Sequence, residues 1–523
     1  MQKKLIRFIL LVFLAFLYTL YAKAIAYSTT DNYIKSYGTA YPDYVLTLKT
    51  SPEGNILLGG VLSISSSKQD GFLMKLKEDG TILWSKEYEY TWYSGYQECS
   101  IKGIEIVQDG YILVSEPGVI FKVDPTGNLV WGKSITFVED SQTLPVFFED
   151  IAKLDDNNYI AVGGNGDGYI VWITENDTGV FLKWSKKTNI VPSFRAVKTT
   201  PDGGFVTVGG DNKIAIFKFN QNGTLEWGKT YQHCEPNYDG SEYCYAEGHD
   251  ITVTEDGYFV VGKAYCNITD DCIAVLKLDN TGNIVWKKLY KYDTYGHYQY
   301  DLGINGKLKI VYNNNTQEVI ITAVKQQKKP GLTGGEITVS DIVVFCISSE
   351  DGSLKRAFVY GNGLDGLDEV PQGLEVLSDG SVLIGGWTDS YSTPETELSI
   401  DAWLLKLDQY ANIDSTIKKE ETVSELDWGG LNATNLSIFN LNSTNLSINN
   451  ASSIEVEDVS FSSYTWAPAG SQEEENSSNS KESSGFGCTI SHGSTLDLDL
   501  SLLIGLLLFK ILIGIHRKEN LLK

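Results

Sequence analysis

Residues 256–290 read DGYFVVGKAYCNITDDCIAVLKLDNTGNIVWKKLY, and they hold most of a repeating unit. Asp256-Gly257 opens a run of alternating β-formers, as a tight hairpin turn does. A second apolar run follows at 273–279 (IAVLKLD), and a glycine turn then leads to Trp286, Lys288 and Tyr290. A period of two places those three side chains on one face of a strand.

The middle strand recurs at 72–77, 119–124, 169–174, 214–220, 273–279, 342–348 and 402–408. Turn-plus-strand signals precede it, most clearly at 202–210, 256–262 and 379–386. The Trp-x-Lys-x-Tyr strand recurs at Trp84/Lys86/Tyr88 and Trp227/Lys229/Tyr231. It is degraded at Trp131/Lys133/Ile135, Trp184/Lys186/Thr188 and Arg356/Phe358/Tyr360. With an apolar run ahead of each turn, a unit has four strands, which is one propeller blade. The expected fold is therefore all-β, a seven-bladed β-propeller.

The seventh unit stops short of its last strand. Tyr33-x-Lys35-x-Tyr37 near the N-terminus matches the missing element, so the ring is expected to close by pairing that strand with the last blade. Closure removes two open sheet edges.

Composition agrees with many short strands joined by turns: 50 glycines, 30 tyrosines and 11 tryptophans against 2 methionines in 523 residues. The formal charge of −25 excludes nucleic acid as a partner, because the phosphate backbone would be repelled. At the N-terminus, Lys3, Lys4 and Arg7 precede an apolar run at 8–21 and small residues Ala22, Ala24 and Ala26. This is the pattern of a secretory signal, expected to span 1–26. The propeller is expected over 27–414 and a polar, Asn/Ser-rich, partly disordered stalk over 415–484. Sequons begin at Asn432, Asn435, Asn442, Asn445 and Asn450, and the fragment 434–438 (TNLSI) echoes at 444–448, which allows a small repeated β-structure there. Segment 485–523 holds Gly487-Cys488, an apolar run at 500–515 expected as a transmembrane or sorting segment, and a basic end at His516, Arg517 and Lys518. The basic end is expected on the cytoplasmic side, with the propeller outside.

The unit resembles the repeats of a broad group of exported prokaryotic propeller proteins, with a consensus near DGGYIVGG…DAWLLKLDxxGNxxWxKxYG, over about 380 residues. The resemblance implies a propeller and an exterior location, and no particular activity. The C-terminal segment resembles Gly-Cys sorting signals, which implies processing or attachment at Cys488. Quinone-dependent dehydrogenase propellers share the Gly-x-x-x-Trp spacing seen at Gly80 and Trp84, but no two cysteines here are adjacent. The sialidase Ser-x-Asp-x-Gly-x-x-Trp box is also unmatched at 77–84.

No His-Glu-x-x-His, Gly-x-Ser-x-Gly or phosphate-loop motif occurs. Asp70, Asp167, Asp211, Asp271, Asp341 and Asp401 open the recurring strands; a ring of them could bind calcium, but capping of nearby turn N–H groups is the better account, and no cofactor is expected. The long connections are 90–100, 139–149, 233–248, 291–300, 325–341 and 388–401, all at one end of a propeller. Their aromatic residues Trp92, Tyr93, Tyr96, Tyr238, Tyr243, Tyr292, Tyr295 and Tyr298 are the candidate binding residues. Cys234 with Cys244, and Cys266 with Cys272, are the expected loop-stapling disulfides; Cys346 is expected as a buried thiol, and Cys99 has no evident mate.

The function expected is non-enzymatic binding of a glycan or a cell-surface protein through the long-loop end, on a membrane-anchored, surface-displayed protein. A structural envelope component and a carboxylate-dependent glycoside hydrolase are the alternatives.

Overall fold

The computed structural model describes residues 32–465, except 40, 66–67, 91–98, 140–141, 177–178, 233, 237–241, 268–269, 293–307, 331–335, 362–367, 390–399, 414–417 and short links beyond residue 420. Among the described residues seven of the eight antiparallel sheets are arranged as seven blades, and the eighth is a two-stranded hairpin. Blade 1 runs Asp43–Thr50, Ile56–Ser65, Lys68–Leu76 and Ile82–Glu89. Blades 2 to 6 repeat the plan, ending on the outer strands Leu129–Glu139, Gly179–Thr188, Leu225–Gln232, Ile284–Tyr292 and Leu354–Tyr360. Blade 7 has Glu369–Val376, Val382–Thr388 and Asp401–Leu407, and takes Tyr33–Gly38 as its fourth strand. Tyr33 lies opposite Lys406 and Tyr37 opposite Ala402, so the N-terminal strand closes the ring in the expected register. Among the described residues no helix is long and apolar enough to cross a membrane.

The apolar core lies between blades. Seven buried clusters each join two neighbours; one unites Val206, Ile216 and Tyr231 of blade 4 with Ile251, Val260 and Leu276 of blade 5. The closing seam unites Tyr33, Tyr37 and Leu404 with Val45, Leu58 and Met74. Each blade therefore needs both neighbours to bury its faces, which is why ring closure carries stability.

The Trp-x-Lys-x-Tyr strand is a clasp on the next blade. Tyr88 Oη donates to Gly127 O at 2.8 Å, Tyr231 Oη to Gly282 O at 2.6 Å and Tyr37 Oη to Gly80 O at 2.7 Å. Trp84 Nε1 donates to Pro125 O at 3.1 Å, and Trp227 Nε1 to Asn280 O at 3.1 Å. Where the motif is degraded to Ile135 or Thr188, no tyrosine is present to make that bond.

The receiving glycine is required twice. Gly282 has φ +75°, and a Cβ there would lie 2.8 Å from the Trp227 ring. The blade 6 clasp supports this account, because Ala411 takes the glycine's place at φ +54° where Arg356 replaces the tryptophan. Gly282→Ala is accordingly expected to cost about 2–3 kcal/mol in chemical denaturation, from left-handed backbone strain plus the ring clash. Ala411→Gly is expected to stay within about 1 kcal/mol of the parent. Equal effects at the two positions would discard the ring-clash account.

The expected stalk is where the structure departs from the sequence reading. Residues 418–465 form seven short strands, one on the outer edge of each blade. Lys418–Glu420 pairs with blade 6, Val423–Asp427 with blade 5, Asn432–Asn435 with blade 4 and Phe439–Asn440 with blade 3. Leu446–Asn450, Glu455–Asp458 and Ser462–Thr465 then pair with blades 2, 1 and 7. The physical reason is that each outer strand presents unpaired N–H and C=O groups, and a polar strand satisfies them as well as an apolar one. The expected connection at 325–341 is corrected too: Glu318–Pro330 and Glu336–Ser348 extend as one long hairpin, pairing out to Pro330 and Glu336.

Candidate functional site: the loop-bearing end of the channel

The first strand of every blade neighbours the first strands of the adjacent blades around the axis. Each begins at the end that carries the long connections. Near that end, in six of the seven blades, its pairing with the second strand is broken by a β-bulge. The looped-out residues are Leu46, Lys102, Glu149, Arg195, His249 and Gln372. Bulges re-aim side chains and terminate regular pairing, and they concentrate at sites.

The chemically densest part lies between blades 4 and 5. Arg195 pairs with Glu247, and Tyr245 Oη donates to Glu247 Oε2 at 2.8 Å. His249 lies 3.6 Å from the same carboxylate and is 6% exposed. Burial, together with the nearby Arg195 and Lys263 charges, holds the imidazole down to about 4, so it is neutral at ordinary pH. Burial alone would raise Glu247; His249, Arg195 and Tyr245 more than offset it and bring the carboxyl to about 2.

Deeper in the channel, each blade contributes one charged residue: Lys49, Glu105, Asp150, Lys198, Asp250, Lys309 and Glu375. Lys49 pairs with Glu105 at 3.2 Å, Lys198 with Asp150 at 3.1 Å, and Lys309 approaches Asp250 at 3.8 Å. Asp150 and Asp250 also brace the inner sheet edge. Each accepts its own next N–H at 2.9 Å, and each reaches the following blade, at Val197 N and Ile310 N. Burial alone would raise Asp150, but Lys198, Lys309 and the Val197 N–H bring it below the usual carboxylate range. With three cations and four anions, one carboxylate is left over. That residue is Glu375, which burial raises against the pull of Lys49 and Lys198.

A third group sits at the seams between blades. Asp43, fully buried, opens the first strand of blade 1 beside Asp401, which opens the third strand of blade 7. Asp43 accepts from Thr39 N and from Thr39 Oγ1, the latter at 3.1 Å. Of the other strand-opening aspartates, Asp70 pairs with Lys68 at 2.9 Å and Asp167 with Lys187 at 2.6 Å, as turn and strand braces do. Among the described residues no group of three or more His, Cys, Asp or Glu is placed to hold a metal ion.

Most of the expected aromatic site lies outside the described residues: Trp92, Tyr93, Tyr96, Tyr238, Tyr295 and Tyr298, as do Gly487 and Cys488. Tyr243 lies in a short hairpin strand, Glu242–Cys244, opposite Glu235. Tyr292 is the last residue of the blade 5 outer strand, opposite Val423, rather than a loop residue. The hairpin register sets Cys234 directly opposite Cys244. Cys272 is disulfide-bonded, while Cys99 and Cys346 are buried thiols, with burial pushing Cys346 up to about 12. Sequence reasoning missed Arg195, Glu247 and His249. The spacing Tyr245-x-Glu247-x-His249, leading into the strand Ala246–Thr254, was the available signal.

No family model and no curated protein matches the chain. Among solved structures, Sqt1 of Chaetomium thermophilum is 12% identical, covering 72% of this chain and 98% of its own, with a TM-score of 0.40. The Dos1 propeller is 9% identical, covering 72% and 96%, with a TM-score of 0.42. The WD40 propeller domain of Doa1 is 12% identical, covering 72% and 97%, with a TM-score of 0.38. The fold assignment rests on the strand pairing of this chain.

Proposed function

We propose that this protein is an exported, surface-held propeller that binds a glycan or a protein at the loop-bearing end of its channel, without catalysing a reaction. The observation that carries this reading is a convergence at one end. Six bulged inner-strand residues and the Arg195–Glu247–His249–Tyr245 group lie at the end where the chain passes from blade to blade, while the turns between first and second strands, at the opposite end, are short. A rigid scaffold with elaborated loops at one end is the usual architecture of a binding site.

Four carboxylates do converge in the channel, as a glycoside hydrolase needs. Three of them lie against lysines, and two also brace backbone N–H groups, which accounts for their presence without chemistry. The disulfide at Cys272 supports an oxidising compartment, in keeping with the N-terminal signal pattern. Cys488 is the proposed attachment or processing point, and the apolar run behind it the sorting or membrane segment.

The test is a binding screen against glycans, envelope polysaccharides and surface proteins, using residues 27–471 so that every outer strand keeps its partner. It is repeated after alanine replacement of Trp92, Tyr93, Tyr295 and Tyr298, and separately of Arg195. Replacing an aromatic anchor at a true site is expected to weaken binding by about tenfold or more with folding intact. Binding unaffected by all of these changes would move the site elsewhere, and release of reducing sugar from a bound polysaccharide would revive the hydrolase reading.

A further inference from the structure

The C-terminal strands follow one rule of register. In blades 7, 1, 2, 3, 4 and 5 the lysine of the outer strand (Lys35, Lys86, Lys133, Lys186, Lys229 and Lys288) lies opposite Thr465, Asp458, Asn450, Asn440, Asn435 and Asp427. In blade 6 the equivalent Phe358 lies opposite Glu420. One segment therefore meets the same backbone position seven times, visiting the blades in the order 6, 5, 4, 3, 2, 1, 7.

We propose that residues 418–465 are a belt that locks the closed ring, and that it opens from its C-terminal end. Closing a propeller removes the edges at its ends but leaves one long outer edge on every blade. The outer strands of blades 1 to 5 run 8 to 11 residues. The belt replaces these edges with strands of two to five residues, too short to recruit another chain well.

Its last strand, Ser462–Thr465, lies on Tyr33–Gly38, the strand that closes the ring. The closing strand is thereby paired on both edges, with Asp401–Leu407 on one side and the belt on the other. Each belt pairing is marginal alone and persists because its neighbours hold the chain nearby. The end without a further neighbour frays first. That end is the one over the closing strand, so whatever acts on the chain beyond Thr465 acts first on the lock of the ring.

Amide hydrogen exchange on the full chain tests this, comparing the parent with Ser462→Pro and Ser447→Pro. Ile135 N donates to Gly118 O on its inner neighbour, so the adjacent Thr136, opposite Ser447, faces the belt, and Gly38, opposite Ser462, is the equivalent position. Proline at either belt residue removes an N–H that faces the ladder. Ser462→Pro is expected to speed exchange in Tyr33–Gly38 by about tenfold or more, leaving Leu225–Gln232 and Ile284–Tyr292 unchanged. Ser447→Pro is expected to open Leu129–Glu139 and also the strands beyond it, Ile82–Glu89 and Tyr33–Gly38, again sparing blades 4 and 5. A chain stopped after Asp458, which loses only the last belt strand, should reproduce the Ser462→Pro pattern without relying on a proline. The proposal is overturned if outer-strand exchange is alike in all these proteins, or if Ser462→Pro opens blades 4 and 5 as much as blade 7.

Discussion

Tyr37→Ala is expected to destabilise the propeller by about 4 kcal/mol, the range for deleting a large buried aromatic side chain. Tyr37 has no exposure, sits in the core cluster that joins blades 7 and 1, and belongs to the only strand that closes the ring. Its hydroxyl also holds the Gly80 carbonyl at 2.7 Å. Tyr37→Phe separates the two contributions, because it keeps the ring and orphans the carbonyl, for an expected loss of about 1–2 kcal/mol. Urea denaturation midpoints, with the slope checked for two-state behaviour, are the readout. A loss below about 1 kcal/mol for the alanine variant would mean that the N-terminal strand is not part of the cooperative unit.

The second large effect is a pH dependence set by Asp43. Burial, with the Asp401 carboxylate beside it, pushes Asp43 up to about 8, although the Thr39 N–H and hydroxyl favour the charged form. Between about pH 4 and about pH 8 the folded protein therefore holds a proton that the unfolded chain has released. This contribution is fully present below about pH 4 and is lost as pH rises through about 8. Unfolding free energy should fall across that window by a few kcal/mol, with about 5 kcal/mol as the ceiling.

Asp43→Asn removes the group that titrates and keeps the shape. It is expected to leave stability near pH 4–5 about unchanged, to raise it by about 2–4 kcal/mol at pH 8, and to flatten the profile between. Thermal melts across that range decide the matter. If the profile keeps its slope in Asp43→Asn, the pH dependence comes from some other group. The leftover channel carboxylate Glu375, raised by burial, is then the next to replace.

Trp84, Lys86 and Tyr88 could be read as one face of one strand, and the glycine turn that receives them could be read forty residues further on, because both are local patterns. Repetition of those patterns is enough to count blades and to find the missing strand at Tyr33–Gly38. The channel could not be read this way. Its charges stand one to a blade, about fifty residues apart, on inner strands whose periodicity is interrupted by bulges. Lys49 and Glu105 become partners only when two blades are set side by side. The His249 group is similar, since Arg195 reaches Glu247 from the neighbouring blade.

The belt marks the limit most sharply. Its residues at the seven equivalent positions are Glu, Asp, Asn, Asn, Asn, Asp and Thr, at uneven intervals; the echo of 434–438 in 444–448 allowed a small repeated β-structure but gave neither its seven strands nor where they pair. The sequence alone determined the blades, their number and the closing strand, because each depends on side chains that alternate within a few residues. Only the tertiary structure decided which charges meet in the channel and where the polar C-terminal segment lies. The first depends on proximity across the ring, and the second on backbone hydrogen bonds, which any polar residue can make.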